Sequence, residues 1–102
     1  MIQAIPKEYL DYLRSGKPNE GFLSIEPGYF QLWPEEDICL MNTNYKIDKN
    51  IPGYIGFGSN GGEELFVFNN TGNVFAVPFI GMENIYLLKI ADSWSEFTRN
   101  IE

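Results

Sequence analysis

No histidine occurs anywhere in this chain of 102 residues. Its absence removes the commonest general base and the commonest metal ligand together. A Ser-His-Asp or Cys-His nucleophilic mechanism cannot be assembled from this chain alone. The one cysteine, Cys39, excludes an intrachain disulfide and, without histidine, leaves a zinc site without enough ligands. Three acids precede it at Glu35, Glu36 and Asp37, and their charge disfavours a thiolate. Flanked by Ile38 and Leu40, Cys39 is expected to be a packing residue in the interior.

Glycines carry the next chemical pattern. Gly56, Gly58 and Gly61 spell G-x-G-x-x-G, the spacing of a dinucleotide-binding turn. That turn works when a helix follows, because the helix N-terminus holds the pyrophosphate. Here Gly62-Glu63-Glu64 leads into Leu65-Phe66-Val67-Phe68, which reads as a strand, and two carboxylates would repel a pyrophosphate. No lysine followed by serine or threonine closes the glycine run, so the P-loop pattern also fails. The glycines are expected to supply positive φ or close backbone packing. Asp48 to Gly53 opens like a calcium loop, but Pro52 replaces one ligand and Ser59 occupies the closing acidic position. No cofactor or metal is expected.

Two acidic clusters remain, Glu35-Glu36-Asp37 and Glu63-Glu64. Paired carboxylates can hydrolyse glycosides when they face each other across a cleft and one sits in an apolar pocket. Adjacent acids after Pro34 are better explained as a helix start facing the positive end of the dipole. Glu63 and Glu64, as neighbours on a strand, point to opposite faces and cannot act jointly on one substrate. One is expected to brace the glycine turn by accepting backbone N–H groups, and the other to meet solvent or a partner.

The elements that must position these residues alternate between helix and strand. Pro6 opens a helix carrying Tyr9, Leu10 and Leu13, which Arg14 and Gly16 close. Strands are predicted over 22–26 and 29–33 around a Pro27-Gly28 turn, then a helix from Pro34 that fades at Asn42 or Asn44. A strand over 54–57 contains the first of these glycines, Gly56, and leads into the others. Residues 64–68, covered on both faces, form a hairpin with 74–79 across Asn69-Asn70-Thr71-Gly72-Asn73. Another strand is expected over 85–90. Ser93 and Glu96 have capping-box spacing for a last helix with Trp94, Phe97 and Ile101 on one stripe. Trp33 and Trp94 are expected in the core. The pattern predicts a single α+β domain over 1–102 with a mainly antiparallel, twisted sheet packed by N-terminal, middle and C-terminal helices.

Composition narrows the partners. Hydrophobic residues make up 44% of the chain and aromatic residues 16%, enough to offset chain entropy with a packed core. Fourteen acids against seven bases give a net charge of −7, a field that repels nucleic-acid phosphates and anionic lipid but accelerates encounter with a basic protein. The start, Met1-Ile2-Gln3-Ala4, lacks the basic and apolar regions of a secretory leader, and a cytoplasmic protein is expected.

Several segments together resemble the SUKH superfamily, the Smi/Knr-like domains. Residues 6–13 with Gly21 are similar to its opening helix and glycine turn, and 32–38, with Trp33 before an acidic helix start, to its strand-to-helix segment. The most specific likeness runs over 52–68, where Gly56, Gly58, Ser59, Gly61, Gly62 and Glu64 match a run of glycines, serine and an acid before an apolar strand. Residues 77–82 and 90–97 resemble the closing segments. Asn60 stands where the family often has aspartate, and Glu63 where a third glycine is common. The N-terminal region is short, so the extra leading helix of longer members is not expected.

The resemblance implies an α+β fold and, among bacterial members, an immunity protein that binds and neutralises a cognate polymorphic toxin, often a nuclease. A regulatory or scaffold domain, as in the eukaryotic branch, is the alternative. A carboxylate hydrolase built on Glu63 or Glu64 is a weaker one. The expected partner is a toxin with a basic surface, met by Glu35, Glu36, Asp37, Asn60 and Glu63. An edge strand could also pair two copies, which leaves the oligomeric state open.

Overall fold

A computed structural model describes residues 5–102. Residues 1–4, the segment read above for a secretory leader, lie outside the described residues. Helix α1 (Lys7–Arg14) starts after Pro6 and ends before Gly16, whose φ of +80° suits a residue without a Cβ. Six strands follow: β1 (Glu20–Phe22), β2 (Tyr29–Leu32), β3 (Ile55–Ser59), β4 (Glu64–Phe68), β5 (Val74–Pro78) and β6 (Leu88–Ala91). They pair in chain order, every neighbour antiparallel. Between β2 and β3 lie a 3₁₀ turn (Glu35–Asp37), α2 (Ile38–Asn44) and α3 (Ile47–Asn50); α4 (Trp94–Thr98) follows β6.

The central strands explain their composition. Every residue of β3 is buried, as are Leu65 to Phe68 of β4, because helices cover both faces. On one face Phe57 stacks on Phe68 with centroids 4.2 Å apart, and Tyr9 of α1 and Trp94 of α4 meet edge-to-face at 4.7 Å. On the other face Ile47 of α3 and Trp33 close over Gly56 and Leu65. Fully burying one such aromatic or aliphatic side chain contributes about 1.5–3 kcal/mol, so this double-sided packing is the main stabilising term.

Several boundaries differ from the sequence reading. The strand expected over 22–26 lies earlier, as β1, because the N–H of Leu23 bonds the carbonyl of Gly28 and the chain turns there. The strand expected over 54–57 begins one residue later and runs to Ser59, since the N–H of Tyr54 closes a turn on Ile51. The segment 85–90 begins as a 3₁₀ turn (Asn84–Tyr86) closed by the N–H of Tyr86 on the Glu83 carbonyl, and only its second half is strand. Helix α3 was not anticipated. The capping box at Ser93 is half formed: Ser93 Oγ accepts from the N–H of Glu96 at 3.0 Å, but the Glu96 carboxylate accepts from the N–H of Asp92 at 2.8 Å.

Cys39 is exposed, against expectation. Helix α2 buries Ile38 and Asn42, four residues apart on one stripe, and position 39 falls off that stripe. Leu40, its apolar neighbour, is 58% exposed for the same reason.

Candidate protein-binding face

The glycine connection is held from behind by a residue the sequence reading passed over. Strand β2 leaves the sheet at Pro34, and its last bond to β3 runs from the N–H of Trp33 to the Phe57 carbonyl at 2.9 Å. Gly56 therefore has no strand neighbour on that side. The carboxamide of Asn42 takes the missing place: its Oδ1 accepts from the N–H of Gly56 and its Nδ2 donates to the Gly56 carbonyl, both at 2.8 Å. The same Nδ2 donates to the carbonyl of Ile38 at 2.8 Å, so a buried amide is satisfied throughout.

Space, more than backbone freedom, fixes the first two glycines. A Cβ on Gly56 would lie 2.6 Å from Ile47 Cδ1, and one on Gly58 2.5 Å from the backbone oxygen of Gln31. Further along, Ser59 Oγ accepts from the N–H of Gly61, whose φ is +82°. Asn60 braces the turn with one oxygen, accepting from the N–H groups of Gly62 at 2.9 Å and Glu64 at 3.0 Å. That brace was expected of Glu63 or Glu64. Both bonds use an acceptor oxygen, which aspartate also has, so asparagine here preserves the turn. Glu63 stands outside the positive-φ region, so a side chain fits where a glycine is common.

The turn ends against the exit of β5. The N–H of Phe79 donates to the carbonyl of Glu63 at 2.9 Å, and Phe79 packs 4.8 Å from Tyr45, which in turn stacks 6.0 Å from Trp33. Tyr45, Gly62, Glu63, Pro78, Phe79 and Ile80 line an open hollow of about 310 Å³. Ile80 is 93% exposed, and Tyr45 keeps 42% of its surface in water. Glu63 is the one carboxylate in this lining, so a two-carboxylate mechanism lacks its second member here.

The residues predicted to meet a partner do not all converge. Glu63 lies in the hollow with Tyr45, at the C-terminal end of α2, while Asn60 is turned to the loop backbone. Glu35, Glu36 and Asp37 lie at the other end of α2. Glu35 is committed to Arg14 of α1 by two bonds of 2.9 and 2.5 Å. That hydrogen-bonded guanidinium holds its carboxyl below the ordinary value. Glu36 is exposed on the wall of a separate groove of about 630 Å³ shared with Tyr12, Lys17 and Trp33. Trp33 thus touches both regions, lining the groove and stacking on Tyr45. Sequence reasoning missed Tyr45, Phe79 and Ile80 because aromatic and branched residues beside turns read as core; only the fold leaves them at an open end of the sheet.

This architecture, with its glycine-serine turn between two buried strands, agrees with one family. The model of the SMI1 / KNR4 family (SUKH-1) matches residues 3–100. The chain belongs to that family. The match takes in every strand and helix of this SUKH-1 domain, including the Trp33 segment and the turn from Gly56 to Glu64. No curated protein matches the chain. Among the described residues, no helix of this SUKH-1 domain is long and apolar enough to cross a membrane.

Proposed function

We propose that this protein is an immunity protein, which binds a cognate bacterial toxin and neutralises it by protein–protein contact rather than by catalysis. Membership of the SUKH-1 family is compatible with that role. The observation that carries the reading is the state of its acids. All fourteen lie within the described residues, and three of them, Asp11, Glu35 and Asp92, form ion pairs with cations among those residues. An acidic surface with spare carboxylates suits a basic, nucleic-acid-binding cleft, where carboxylates can stand in for phosphates. The SUKH-1 fold and the missing histidine both weigh against an enzyme.

The test is co-expression with the product of a toxin-like gene adjoining the one for this chain. Growth should be rescued, and the two proteins should co-purify. Several cellular partners with no protection against the toxin would instead favour a regulatory scaffold.

A further inference from the structure

We propose that the hollow beside the glycine turn is the anchor site for an arginine or lysine side chain projecting from a basic partner, with Glu63 as its counter-ion. The proposal rests on the immunity reading for the partner's identity, but not for the chemistry of the hollow. Three observations carry it. The lining is apolar and aromatic through Tyr45, Pro78, Phe79 and Ile80, surfaces on which the methylene stem of a long basic side chain packs. Glu63 supplies one exposed carboxylate, and it takes part in none of the three ion pairs among the described residues. Finally, Tyr45 is 42% exposed and lines the same hollow as that carboxylate, adding aromatic surface against which the stem of the incoming side chain can lie.

The same charge argues against a second copy as occupant. Two copies would bring together surfaces of net charge −7, each with a Glu63 that has no ion-pair partner among the described residues. The rival acidic surface at Glu35 to Asp37 is less suited, because Arg14 already holds Glu35. A lone basic side chain entering the hollow joins apolar burial to a charge pair, the combination found at interface hot spots.

The experiment needs no toxin. N-acetyl-arginine amide is titrated into the isotopically labelled chain and amide shifts are followed by NMR, with N-acetyl-leucine amide as the neutral control. Saturable shifts are expected at Tyr45, Gly62, Glu63, Phe79 and Ile80. Glu63→Gln should weaken them by about fivefold, as for a partly exposed ion pair, with its urea unfolding midpoint unchanged. Shifts spread over Glu36, Asp37 and Asp48, an unaltered titration in Glu63→Gln, or concentration-dependent broadening centred on the hollow would each overturn the proposal. With a toxin in hand, Glu63→Lys should lose about thirtyfold in affinity, and Glu36→Lys about threefold or less. Equal losses would remove the anchor and leave the immunity reading standing; no binding by the unaltered chain would remove the immunity reading and leave the arginine titration to judge the hollow.

Discussion

Replacing Asn42 by alanine should damage this fold far more than its modest side-chain volume implies. Asn42 is 8% exposed, and its carboxamide makes three hydrogen bonds of 2.8 Å, two of them to Gly56. Removing it strands the buried N–H and C=O of Gly56, because β2 has already left the sheet at Pro34. Each stranded group costs about 1–3 kcal/mol, so the total is about 2–6 kcal/mol. Domains of this size have a total stability of about 5–15 kcal/mol, so the variant should sit near the edge of folding. The Ile38 carbonyl matters less, since helix backbone can still satisfy it. Asn42→Asp is the informative companion: it keeps the acceptor for the Gly56 N–H, loses the donor to both carbonyls, and buries a carboxyl. Urea unfolding followed by tryptophan fluorescence measures both, through the midpoint at constant slope. A loss below about 0.5 kcal/mol for Asn42→Ala, the range of unremarkable surface changes, would refute the view that this amide substitutes for a missing strand.

Other consequences follow from the same turn and from α1. Gly58→Ala should cost about 2–3 kcal/mol and exceed Gly56→Ala, because Gln31 backbone cannot yield as the Ile47 side-chain tip can; thermal melts of both decide the order. Gly62→Ala, whose added carbon meets nothing nearer than 3.6 Å, should fall within about 0.5 kcal/mol of the parent. Asn60→Asp should keep full stability, while Asn60→Ala should lose about 1 kcal/mol in the same melts, since only the shared acceptor oxygen serves Gly62 and Glu64. Glu35 has its carboxyl lowered by Arg14, so its contribution is present above the ordinary carboxylate value and is lost as pH falls through the lowered one. The advantage of the parent over Glu35→Gln in urea should therefore be small at neutral pH and vanish in strong acid.

The first, second and last helices, the central hairpin and both tryptophans were legible in the sequence because each has a local signal. Pro6 and Gly16 bracket α1, the asparagine-glycine run after Phe68 marks a turn, and four apolar residues in a row announce a strand with two covered faces. The failures share a different cause. Asn42 looked like a helix end, yet tertiary placement makes it a strand surrogate. Asn60 looked like a surface contact and is the turn's brace, because only the three-dimensional loop brings two N–H groups to one oxygen. Cys39 was misplaced since neighbours in sequence are not neighbours on a helix face. The hollow at Glu63 joins residues from three separate segments, 45, 62–63 and 78–80, and no local window contains it.

The central claim is direct binding of a basic toxin, and calorimetric titration of the purified chain into the product of the adjoining toxin-like gene tests it most directly. One-to-one binding tighter than micromolar at low salt is expected, weakening as salt is raised and tracking loss of toxin activity. No heat of binding and undiminished toxin activity at micromolar protein in low salt would contradict it.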